Sequence, residues 1–121
     1  MSTRIAWATV AVADQGVMLD FFTSVLGFTV RTDAEMWPGA SWIEVVPPDA
    51  DTGLVLSRAG DFGREPDTAY PVGLITDDLD GVVARVRERG LAATDPVDED
   101  WGRYATLTDP EGRELLLRGA R

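Results

Sequence analysis

The sequence contains no cysteine and no histidine, and it has no lysine either, because all 11 basic residues are arginine. A thiolate nucleophile, an imidazole base and a Schiff-base lysine are therefore excluded. Zinc, copper and haem lose their usual His and Cys ligands. Carboxylates, hydroxyls, two tyrosines, arginines and backbone amides are left for chemistry. Positive charge is scarce as well: 11 basic against 21 acidic residues give a net charge of −10. That balance argues against nucleic acid, whose phosphates need a basic face. It either attracts cationic small molecules at long range or simply keeps the protein soluble. No apolar run approaches the length of a membrane span. The start, Met1-Ser2-Thr3-Arg4 and a short apolar stretch, lacks a signal-peptide pattern, so the cytoplasm is the expected compartment.

What is present is an ordinary globular composition. With 121 residues, 45% apolar and 26% charged, the chain is long enough to bury a core without disulfides or a metal. Ile5 to Ala13 reads as a buried strand. Asp14 is placed to cap a helix whose apolar residues Met18, Leu19, Phe22, Val25 and Leu26 recur at helical spacing, and Gly27 ends it. Phe28 to Arg31, Ser41 to Val46 and Gly53 to Ser57 read as three further strands, the last two joined by a turn-rich loop. Met36-Trp37-Pro38-Gly39 reads as an exposed apolar loop that folds over a ligand or packs on a partner subunit.

The second half repeats this order. Val72 to Thr76 is a strand, and Asp77-Asp78 caps a helix with Val82, Val83 and Val86 as its stripe. Gly90 ends the helix, Leu91 to Ala93 starts a strand, and Gly102 to Thr108 with Glu114 to Leu117 forms a hairpin turning at Asp109-Pro110-Glu111-Gly112. The halves are offset by 63 or 64 positions, depending on which aspartate is the cap. The reading is a single α+β domain of two tandem βαβββ modules, about 4–58 and 70–118, with a linker of about 59–69 rich in Gly, Asp and Arg.

Three stretches carry a family likeness: Val12-Ala13-Asp14 with Leu19-Asp20-Phe21-Phe22 and Val25-Leu26-Gly27-Phe28; Asp77-Asp78-Leu79-Asp80 with Val86 and Arg89-Gly90; and Gly102-Arg103-Tyr104 with Asp109-Pro110-Glu111-Gly112. In this order they resemble the vicinal oxygen chelate superfamily, which includes glyoxalase I, extradiol dioxygenases and bleomycin-resistance proteins. The resemblance implies an open, barrel-like sheet enclosing a cleft. In metal-dependent members it also implies four ligands on the cleft floor, usually His and Glu. Here the corresponding positions are Trp7, either Pro71 or Tyr70 according to register, Gly53 to Ser57 without a carboxylate, and Leu116. Such a set cannot compensate dehydration of a divalent ion, so no metal and no cofactor are expected.

The same positions suggest a replacement ligand. Trp7 stands where a metal ligand would be, and Trp37, Trp42, Trp101 and Tyr104 lie on strands or adjoining loops, which suits a planar aromatic molecule. Trp42 and Tyr104 are equally well read as half-buried sheet residues, and Trp101 as a plug under a loop. Glu44, on the third strand, and Leu116 complete the candidate ligand-binding set. The acidic run Asp95, Asp98, Glu99 and Asp100 is a solvated loop or a rim for a cation. Arg31 and Arg103 orient an anion or form surface ion pairs.

The expected function is metal-independent binding of an aromatic ligand, cationic or neutral, in the cleft of a homodimer, as in antibiotic self-resistance. No catalytic residue, nucleic acid or membrane enters this reading. The alternative is a metal-free enzyme on a small organic substrate, with Glu44, Asp100 or Tyr104 as acid or base.

Overall fold

The computed structural model describes residues 2–120. Two compact units follow one another along the chain, with their boundary between Asp67 and Thr68. Among the described residues each carries one four-stranded sheet and one α-helix, giving the mixed α+β fold.

In the first unit, β1 (Trp7–Val12), β2 (Thr29–Trp37), β3 (Ala40–Val46) and β4 (Gly53–Arg58) lie in the order β1-β4-β3-β2. The β1 strand runs parallel to β4, and the β3 strand is antiparallel to both neighbours. Helix α1 (Gln15–Asp20) begins where the Asp14 carboxylate accepts a hydrogen bond from the Val17 amide at 3.1 Å. The expected helix to Leu26 is not α-helical throughout: residues Phe21–Val25 form a π-helical turn, closed by the Leu26 amide on the Phe21 carbonyl. The Thr23 hydroxyl donates back to the Leu19 carbonyl at 2.8 Å, the kind of local competition that loosens a helix. Met18, Phe21, Phe22 and Val25 are buried against the sheet face made by Val10, Val12, Leu54, Leu56, Ile43 and Val45. The first unit continues beyond β4 through a 3-10 turn (Ala59–Phe62), and Asp67 closes on β1 by two hydrogen bonds to the Ala11 backbone.

In the second unit, β5 (Leu74–Thr76), β6 (Val97–Glu99), β7 (Gly102–Thr108) and β8 (Glu114–Gly119) lie in the order β5-β8-β7-β6, the same arrangement as in the first. Helix α2 (Leu79–Glu88) is capped by Asp78, which accepts from the Gly81 amide. Leu79, Val82, Val83 and Val86 are buried with Ala105, Leu107, Leu115 and Leu117 of β7 and β8. Gly27 and Gly90, one after each helix, share a φ of +76°, a conformation that glycine adopts without strain.

Two expectations are corrected. Met36-Trp37 is not loop but the end of β2, with Pro38-Gly39 as the turn to β3; the preceding Thr32-Asp33-Ala34-Glu35 is an exposed edge strand, too polar to show apolar alternation. Leu91 to Ala93 is not a strand: only Ala93 bridges to Leu107, and the sheet edge is instead β6, whose three residues are all exposed.

Candidate functional site

Strand alternation sends the side chains opposite to the helix onto a far face in each sheet. In the first unit, the register Trp7↔Gly53 and Glu44↔Val55 puts Trp7, Trp42 and Glu44 on that face. Trp7 is 48% exposed and meets the Trp42 ring edge-to-face, with centroids 5.7 Å apart. Glu44 is only 6% exposed. Its Oε2 is ion-paired with the Arg31 guanidinium, which also donates to the Asp51 carbonyl at 2.5 Å and the Ala6 carbonyl at 3.2 Å.

Two backbone features make this pairing possible. The β2–β3 register shifts between Val30 and Thr32, which re-aims Arg31 out of the ladder and across the face. Gly53 supplies the space: a β-carbon there would fall on the Glu44 carboxylate and lie 2.7 Å from Arg31 Nη2. Neither Arg31 in this role nor Gly53 is apparent from sequence, because both depend on which residues the register brings opposite.

The second unit presents a different far face. Trp101 stacks on Tyr104, with centroids 5.1 Å apart and planes at 26°. Val97, Ile75 and Leu116 share the face with Tyr104 through the pairs Val97↔Tyr104, Tyr104↔Arg118, Ile75↔Arg118 and Thr106↔Leu116, and all three are substantially exposed. Trp37 stands apart from these groups: at the end of β2 it meets Phe62 edge-to-face at 5.6 Å, next to a turn fixed by Arg58 bonding Asp61 and the Gly39 carbonyl. Arg103 is paired with Asp80 and Asp98, the surface role rather than an anion site.

Sequence reasoning missed one buried polar cluster. Asp109, 2% exposed, accepts four hydrogen bonds: from the Glu111 and Arg113 amides at Oδ1, and from Tyr70 Oη (2.5 Å) and Arg113 Nη1 (3.0 Å) at Oδ2. Burial, and then the hydrogen bond to Asp109, push the Tyr70 phenol well above its usual range, so it stays neutral. Burial works against the Arg113 charge, but Glu111 and Asp109 outweigh it and hold the guanidinium protonated. The Asp-Pro-Glu-Gly turn signalled the hairpin but not the depth at which its aspartate sits.

The fold matches known proteins. The model of the Glyoxalase/Bleomycin resistance protein/Dioxygenase superfamily matches residues 4–117. The chain belongs to that superfamily. It resembles a superfamily member from Sphaerobacter thermophilus DSM 20745, with a TM-score of 0.85 and 32% identity over 98% of both chains. It is also similar to TnmS3, an antibiotic binding protein from Streptomyces sp. CB03234, with a TM-score of 0.83 and 32% identity, covering 99% of this chain and 98% of that one. The uncharacterised Bacillus subtilis protein YetH is 28% identical over 119 residues, 98% of this chain and 99% of its own.

Metal-dependent members of this superfamily set a test for the residues present. The helix caps correspond, Asp14 and Asp78 each bonding the amide three residues on, which in the count sets Pro71 opposite Trp7, but β5 begins only at Leu74 and neither Pro71 nor Tyr70 lies in a strand. An indole, a proline, a strand without carboxylates and Leu116 are no donor set for a divalent cation. Tyr70 is committed to Asp109, and Glu44 to Arg31. Among the described residues no group of three or more Asp or Glu side chains is arranged to hold a metal ion. The residues do not fit a metal centre.

Proposed function

We propose that this protein is a metal-independent binding protein that sequesters an aromatic small molecule, in the manner of antibiotic self-resistance. The single observation that carries the reading is the group on the far face of the first sheet: two edge-to-face indoles, one half-exposed, beside a nearly buried carboxylate. An indole face walled by a second ring, with one fixed polar atom nearby, suits recognition of a planar ring. Trp101, Tyr104 and Leu116 offer a second apolar surface on the other unit. The similarity to an antibiotic binding protein supports the same role, and the net charge of −10 favours the approach of cationic members of the ligand class.

The working form in this reading is a homodimer, with the exposed Trp37–Phe62 pair as apolar contact surface. Light scattering of the purified protein gives its mass in solution. The binding claim is tested by calorimetric titration with planar aromatic antibiotics. Saturable binding at micromolar concentration, unchanged by chelator, is the expected result; absence of affinity across the panel refutes the reading.

A further inference from the structure

We propose that Glu44 selects the ligand, and that the ligand carries a neutral hydrogen-bond donor, a hydroxyl or amino group attached directly to its aromatic ring. This rests on the binding reading above and adds the chemical class. Glu44 is nearly buried, yet its two oxygens differ. Oε2 is held by Arg31, whereas Oε1 accepts no hydrogen bond among the described residues and is not sealed from solvent. A carboxylate oxygen on a side chain this buried, with no protein donor of its own, gains a charge-assisted hydrogen bond from a ligand donor that reaches it.

The acceptor is also held in place. Arg31 is tied to two backbone carbonyls, so it fixes Oε2 and thereby the direction of Oε1. Gly53, opposite Trp7 in the β1–β4 register, leaves the room in which the carboxylate lies. Arg31 and Gly53 are positioning residues, and Glu44 is the contact. Trp42 lies two residues from Glu44 on the same strand face, about 7 Å along the strand, so a ring lying on the Trp42 indole presents its edge substituent to Oε1. The donor is neutral because Arg31 already balances the charge of Glu44. A second buried cation would lack a counter-charge.

The test uses matched ligands on the full chain: 2-naphthol against 2-methoxynaphthalene, 9-phenanthrol against its methyl ether, and 2-naphthylmethylamine as the cationic competitor. The expected result is that each hydroxyl compound binds about tenfold to a hundredfold more tightly than its ether, the range of a hydrogen bond to a charged group. That ratio falls toward one in Glu44→Ala and in Gly53→Ala, with the far-ultraviolet circular dichroism of the native chain. Should Glu44→Ala fail to fold, the ratio in the unmodified protein and in Gly53→Ala decides. Equal binding of hydroxyl and ether overturns this inference while leaving the binding reading intact. Preference for the ammonium compound overturns the neutral donor. Failure of all five compounds to bind counts against the binding reading itself.

Discussion

The two halves of this chain secure their closing hairpins with the same pair of groups, an arginine and a buried carboxylate, and they do so in opposite ways. In the second unit Arg113 and Asp109 both belong to the β7–β8 turn, and Asp109 is saturated by four hydrogen bonds. In the first unit Arg31 comes from the edge strand β2, crosses the sheet face to Glu44, and clamps the β3–β4 loop through the Asp51 carbonyl. There Glu44 Oε1 accepts no hydrogen bond from a described residue, on a face that also carries two indoles. A carboxylate whose bonds are all internal stabilises a fold; one with an oxygen to spare can recognise something else.

The largest expected effect breaks the saturated side. Asp109→Ala removes the acceptor of four hydrogen bonds and one of the two carboxylates that hold the Arg113 guanidinium, 3% exposed, and is expected to cost about 3–5 kcal/mol in urea denaturation. Arg31→Ala should cost less, about 1–3 kcal/mol, because water can reach what remains around a partly exposed pair. Equal losses would erase the distinction between the two clamps.

Next come the glycines. Gly53→Ala drives a methyl into the Glu44–Arg31 pair and is expected to destabilise by about 1–3 kcal/mol. Gly73→Ala, whose β-carbon would meet only the Leu116 carbonyl at 3.7 Å, should stay within about 0.5 kcal/mol. Thermal melts of the two variants provide the comparison.

Tyr70→Phe is expected to cost about 1 kcal/mol at neutral pH, for one hydrogen bond. Its pH dependence is more telling. The folded-state pKa of Tyr70 is raised, so its contribution is complete below the unfolded value of about 10 and is lost as pH climbs above it. The stability gap between the native chain and Tyr70→Phe should therefore narrow above about pH 10. A gap that widens there would contradict the assignment.

What was legible in the sequence is what local chemistry decides. Asp14, Asp78, Gly27 and Gly90 mark their helix ends by capping and by positive φ, and the buried strands announce themselves as apolar runs. The edges were not legible, because β6 and most of β2 are polar and exposed and make no apolar pattern. Trp7, Trp42 and Glu44 could be nominated from strand position, but the Arg31 partner hangs on a register shift at one residue, and the vacancy at Gly53 on the pairing of distant strands. Tyr70, a register candidate for the ligand floor, is instead engaged by Asp109, an outcome that only three-dimensional proximity reveals.

Tryptophan fluorescence in two double variants locates the ligand on one far face or the other. One, Trp37→Phe with Trp101→Phe, keeps the indoles of the first far face; the other, Trp7→Phe with Trp42→Phe, keeps the remaining two. Titrated with 9-phenanthrol, the first should be quenched with the affinity of the native chain, and the second should show binding weakened or lost. Full-affinity quenching in the second variant, with a silent first, would contradict the account and move the ligand away from Glu44.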